Sequence, residues 1–222
     1  MTTGGFENAL DYLTGEILAG RFGAGDRLPN ERELSSQLGA SRSAVREAIK
    51  VLQAQGVLSS ATGRAGGTTV GTGQGVAFGR MLKLHVALEA VSFAEITETR
   101  VVLERAAALA AVGRPMGEVR GLAEEMVTVT RPAAFNDLDT AFHVAIAAAG
   151  ENRLIRDMTI AIREAVAERI LSAEERLAQW EELRARLVQE HLHIVEALET
   201  GEGERAAQLS EEHVRNALAA LS

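Results

Sequence analysis

Two short helical stretches follow each other within residues 28–56 with room for only a tight turn between them, and this spacing constrains the fold more than any other feature of the chain. Asn30 is a good N-cap, and Glu33 stands three residues on, at the N3 place of a capping box. Gly39 is the natural end of that helix. Ser41 caps the next, which runs to about Gln55, and Gly56 closes it. Leu34, Leu38, Val45, Ile49 and Leu52 fall at helical spacing and supply the inward faces of two crossing helices.

The flanks complete a small domain. Phe6, Leu10, Leu13, Ile17 and Leu18 predict a preceding helix over residues 6–20, followed by a glycine-containing turn at 21–26. Val57-Leu58 and Thr68-Thr69-Val70 read as two short strands joined by a Gly-rich loop. A helix, a tight helix-turn-helix and a β-hairpin make a winged-helix arrangement, expected over residues 1–71. Residues 72–80, rich in glycine, read as a linker. From there on the period is helical, with helices expected near 81–91, 94–112, 117–130, 134–149, 152–173, 178–200 and 203–221. The short connections favour antiparallel neighbours, so the fold class is mostly α: an N-terminal winged helix-turn-helix and a C-terminal antiparallel all-helical bundle over 81–222.

Composition narrows the chemistry. There is no cysteine, which excludes disulfides and thiolate metal sites and leaves His and carboxylate as possible ligands. The N-terminus has neither a basic segment nor an apolar run, and no stretch approaches 18 apolar residues. A cytoplasmic location with no membrane partner is the expectation. The net charge of −8 is unevenly spread: residues 1–75 carry seven Lys/Arg and seven Asp/Glu, and the remainder holds the whole deficit. Phosphate binding depends on a local cationic face rather than on the sum.

Such a face is present. Arg42, Arg46 and Lys50 recur every four residues opposite the apolar positions of the third helix, with Ser43 beside them. In a recognition helix these side chains meet base edges and phosphates in the major groove. Arg64 and the glycines after it would let the wing approach the backbone. An ordinary solvated Arg/Lys face is the plainer alternative. However, the stretch LPNERELSSQLGASRSAVREAIKVLQAQGVL with its glycine-rich wing resembles the winged-helix domain of the GntR family of bacterial transcription factors, over roughly residues 8–72. That resemblance places Arg32, Arg42 and Arg46 where the family has its main DNA-contacting arginines, and Gly66 at the wing tip. The segment RAGGTTV lacks the aromatic that many members carry there.

In the helical half, polar residues occupy places where the pattern asks for apolar ones. Asp139 and His143 share a helix face at i, i+4, His191 interrupts Leu187, Ile194 and Leu198, and His213 interrupts Ala206, Leu209 and Ala217. Buried and unpaired, such groups are costly. One carboxylate and three imidazoles can satisfy each other around a cation such as Zn²⁺. The alternative is an Asp–His pair and two unrelated core histidines. The set is similar to the FCD effector domain found attached to GntR-type winged helices, which implies a divalent metal, zinc or nickel, held by Asp139, His143, His191 and His213. His193 is expected to face away, and His85 has no matching partner.

Arg100 is a further inward oddity among Ile96, Leu103 and Ala107. It either pairs with Glu104 or another acid of the bundle, or forks a ligand carboxylate. In FCD domains an Arg in the matching segment goes with anionic effectors, so Arg100 is taken as the effector-binding residue. Asn152 reads as a helix cap. The resulting expectation is no enzyme but a homodimeric regulator, a repressor released from a palindromic DNA operator by a small carboxylate bound at the metal. The linker is where relative domain movement would most easily occur. Three alternatives stay open: the metal itself as signal, a purely structural metal, and a metal-dependent hydrolase.

Overall fold

The computed structural model describes residues 4–61, 66–71 and 75–221. Contacts divide the chain into two compact units, Met1–Ala77 and Phe78–Ser222.

The first unit holds α1 (Gly5–Leu18), α2 (Glu31–Leu38), α3 (Arg42–Ala54), β1 (Leu58–Ala61) and β2 (Gly67–Val70). The punctuation acts as its chemistry requires. The Asn30 side chain accepts from the backbone N–H groups of Arg32 and Glu33, and the Glu33 carboxylate accepts from the Asn30 N–H. Gly39 leaves α2 with φ of 60°, a left-handed conformation that an L side chain resists. Ser41 caps α3 through the Ala44 N–H. Both α1 and α2 pack on α3, and Leu13, Leu34, Val45, Ile49, Leu52, Leu58 and Val70 join in one core. Leu38 is only half-buried, and Leu18, at the end of α1, is 83% exposed rather than inward. The strands pair antiparallel, Leu58 with Val70 and Ala61 with Gly67. The chain before Pro29 adds a third rung: Leu28 N–H donates to Thr68 O and Val70 N–H to Asp26 O.

The second unit is wholly helical among the described residues: α4 (Val76–Ala87), α5 (Phe93–Ala111), α6 (Gly117–Thr128), α7 (Pro132–Ala149), α8 (Arg153–Glu174), α9 (Trp180–Glu199) and α10 (Gly203–Leu221). The expected linker over 72–80 is shorter than its glycines suggest, because α4 starts at Val76. Gly79 is buried inside α4, where a Cβ would meet the Ala161 carbonyl at 3.0 Å. This glycine serves close helix packing rather than flexibility. Helix starts are set by Ser92 with Glu95, by Pro132 at the first turn, and by Asn152, which accepts from Leu154 and Ile155 N–H.

Helix α5 packs against α7, α8 and α10; α9 packs on α10 and α6, and α6 on α7. The core is aliphatic with few aromatics: Phe135, Phe142, Met126, Ile194 and Leu198 are among its fully enclosed members. A smaller cluster forms around Ile96, Ile162 and Val166. Between these apolar layers α5, α7, α8, α9 and α10 bury Arg100, Glu104, His143, Arg163, His191 and His213. No helix of the described residues is long and apolar enough to cross a membrane.

Candidate nucleic-acid interface and metal centre

Arg42, Ser43, Arg46 and Lys50 are all exposed on α3, and Arg32 is exposed on α2. The inward side of α3 is filled by Val45, Ala48, Ile49 and Leu52, so core packing holds the cationic side outward. Arg46 is not loose. Its Nε donates to both Glu31 oxygens at 2.9 and 3.1 Å, and its Nη2 to Oε2 at 2.6 Å. The Arg46 hydrogen bonds, with Arg42 and Lys50 nearby, hold the Glu31 carboxyl below its usual value. Sequence reasoning passed over Glu31 because an acid in the first turn of a helix is already explained by the helix dipole. The Gly66 carbonyl accepts from Arg27. Arg64 lies outside the described residues.

Asp139 and His143 come from α7, His191 from α9 and His213 from α10, and one ligand atom from each falls within 4.8 Å of the others. Asp139 Oδ1 stands 3.1 Å from His191 Nε2, 3.6 Å from His143 Nε2 and 3.7 Å from His213 Nε2. The Nε2 atoms of His143 and His213 are themselves 3.3 Å apart. All three rings are buried, and neither nitrogen of His191 has a hydrogen-bond partner despite the nearby Asp139 oxygen. Three ring nitrogens turned towards one carboxylate oxygen, with one ring left unsatisfied, is an arrangement that a divalent cation resolves. The donor set therefore fits a metal.

The far sides of two rings are also held. His213 Nδ1 lies 2.9 Å from Glu190 Oε2, and His143 Nδ1 lies 2.7 Å from Glu104 Oε2, the latter a close contact rather than a well-directed hydrogen bond. A carboxylate at Nδ1 favours the proton there and leaves the Nε2 lone pair for a metal. Burial pushes His191 down to about 3, reinforced by the neighbouring His213, so this ring is neutral. Burial acts the same way on His213, but Asp139 and Glu190 outweigh it and raise that ring. Burial would raise Asp139. Arg163 and the three imidazoles outweigh it and hold the carboxyl well below the usual range.

Arg163 on α8 is the largest element that sequence reasoning missed. It is 3% exposed, donates to Asp139 Oδ2, and reaches Glu104 Oε1 at 3.0 Å. Its signal was the interruption of the stripe Thr159, Arg163, Val166, Ile170, the same kind of break that drew attention to Arg100. Arg100 is 7% exposed and donates to Glu104 Oε1 at 3.4 Å, so the plainer pairing is present. It also lines a cavity of about 20 Å³ with Thr97, Asp139, Glu174 and His213. Glu174 is raised to about 8, chiefly by burial and then by Asp139. As expected, His193 is exposed; His85 is exposed too, with its Nδ1 2.9 Å from the Met81 carbonyl. Asn152 is occupied as a cap.

Comparison with known proteins agrees with this architecture. The model for bacterial regulatory proteins of the gntR family matches residues 6–70, and the FCD domain model matches residues 95–216. The chain is 27% identical over 198 residues to the putative L-lactate dehydrogenase operon regulatory protein of Escherichia coli, covering 86% of this chain and 76% of that one. It is 26% identical over 212 residues to the HTH-type transcriptional regulator LutR of Bacillus subtilis, covering 93% and 96%. A solved structure of Streptococcus agalactiae GntR shares the fold with a TM-score of 0.60 at 22% identity, over 95% of this chain and 97% of that one. The family and these relatives are regulators rather than enzymes, which sets the hydrolase alternative aside. The chain belongs to the gntR family of bacterial regulatory proteins, in the group that joins the DNA-binding domain to an FCD domain, and is a DNA-binding transcriptional regulator.

Proposed function

We propose that the chain is a homodimeric repressor, released from a palindromic operator by a small carboxylate that binds beside a divalent metal in the FCD domain. The observation that carries this reading is the buried convergence of Asp139, His143, His191 and His213, with both nitrogens of His191 unsatisfied. Imidazole-rich sets of this kind suit zinc or nickel. A metal held there supplies a Lewis-acidic docking point for a carboxylate oxygen. Arg100 provides the second anchor, a guanidinium on the cavity wall whose only described partner is a long contact to Glu104. Arg163 keeps Asp139 and Glu104 ionised, and Glu104 and Glu190 orient two of the rings.

Free space of about 20 Å³ admits one group the size of a water molecule. A whole organic acid therefore enters only as the surrounding helices shift, and a ligand that favours one helix arrangement changes the population of that arrangement. On the DNA side, Arg32, Arg42, Ser43, Arg46 and Lys50, with Gly66 and with Arg64, which lies outside the described residues, contact the operator. Arg46 is suited to guanine through its fork.

The test is fluorescence anisotropy of the full chain on DNA that it selects from a random pool, zinc-loaded and chelated, with and without small carboxylates. The expected result is a several-fold to about hundredfold loss of affinity on adding the effective acid, in the loaded protein only. Affinity that follows metal and ignores every acid would make the metal the signal. Affinity indifferent to both would make the metal structural.

A further inference from the structure

The cavity beside the metal ligands has a polar group that neither the metal set nor its supporting carboxylates use. Glu174 closes α8, is 4% exposed, and shares the cavity wall with Arg100, Thr97, Asp139 and His213. Its Oε2 is buried with no hydrogen-bond partner. Its polar neighbours on that wall are all engaged. Thr97 donates to the Phe93 carbonyl and Arg100 to Glu104, Asp139 accepts from Arg163, and His213 Nδ1 faces Glu190. A buried carboxyl oxygen without a partner is unfavourable, and in a binding cavity the ligand is the natural source of the missing bond.

We propose that Glu174 selects the effector, accepting or donating a hydrogen bond to a hydroxyl group on a small carboxylate whose acid end lies towards Arg100 and the metal ligands. This rests on the reading of the cavity as the effector site. A hydroxyl fits better than the alternatives. It can donate to a carboxylate and accept from a carboxylic acid, so it satisfies Oε2 in either state. An ammonium group would sit near Arg100, Arg163 and a divalent cation, and is repelled. A second carboxylate would be buried beside Asp139, which lines the same wall. An acid with no polar group would leave Oε2 bare, which is how a site built for a hydroxyl rejects its deoxy analogue.

The test is calorimetric titration of the zinc-loaded full chain with butyrate, the hydroxybutyrates with the hydroxyl at each carbon, aminobutyrate and succinate. One hydroxybutyrate is expected to bind about tenfold or more tightly than butyrate, the difference of one hydrogen bond. That preference should vanish in Glu174→Leu and survive in Glu174→Gln, whose amide both donates and accepts. Two results overturn the role of Glu174 while leaving a carboxylate site standing: equal binding of butyrate and every hydroxybutyrate, or a preference unchanged in Glu174→Leu. Tightest binding of aminobutyrate or succinate overturns the ligand class. If none of the acids binds, the effector reading itself fails and takes this inference with it.

Discussion

His143 Nε2, on α7, and His213 Nε2, on α10, face each other at 3.3 Å in the core of the helical unit. One proton at most can lie between them, while His191, on a third helix, has no hydrogen-bond partner for either nitrogen. A core built this way is poorly satisfied without a cation. Adding zinc to chelated protein should therefore raise the melting temperature, by roughly 5–10 °C when the metal is about a hundredfold above its Kd. Scanning calorimetry reads this directly. His143→Ala and His213→Ala should show no such response, and a full response in either would remove that residue from the ligand set.

Arg163 neutralises two buried acids at once, Asp139 and Glu104. Removing one partner of a buried ion network is far more damaging than removing all of it, because the remaining charges stay unpaired. Arg163→Met should cost about 3–5 kcal/mol in metal-free protein by urea denaturation. Zinc should recover part of that, since a cation at Asp139 replaces some of the lost positive charge. Wild-type stability in Arg163→Met would mean that Arg100 alone balances the two acids.

The sequence was most informative where one residue has one local task. Asn30, Glu33, Gly39 and Ser41 fix helix ends through bonds to their own neighbours, and their roles could be read from spacing. The Asp139/His₃ set was legible because each member breaks an apolar stripe. Arg163 breaks a stripe too, but an arginine in a helix rich in Arg and Glu reads as solvated until the neighbouring helices are in place. Glu174, at a helix end beside Glu175, gave no sign of burial for the same reason. Glycine misled at Gly79, where it serves helix contact rather than a linker.

Arg46 and Glu31 form an exposed bidentate pair, so its loss should leave the fold intact, with stability changed by less than about 1 kcal/mol. The effect belongs on DNA. Arg46→Ala should weaken binding to the selected operator by about 1–3 kcal/mol and relax preference at one base pair. Anisotropy against single-base operator variants measures both, and unchanged affinity would contradict the assignment of α3 as the reading helix.

Acid should act through His191. Burial holds its pKa at about 3 in the folded chain, against 6.5 for the ordinary ring. As pH falls below 6.5 the unfolded chain takes up a proton that the folded chain refuses until about 3, so the stability present above 6.5 is lost through that window. The slope reaches about 1.4 kcal/mol per pH unit for one proton. His191→Phe, whose ring would lie between Phe135 and Phe142, should lack this component in metal-free protein. Parallel pH profiles for the variant and wild type, from denaturant titrations, would show that the ring is not held neutral.

The account depends most on a metal at the meeting point of α7, α9 and α10. Elemental analysis of the purified protein, beside His143→Ala, His191→Ala and His213→Ala, tests it most directly. The expected result is about one divalent ion per chain in the wild type, lost in each variant. Wild-type protein that holds no metal even after reloading, or variants that keep their full content, would contradict it.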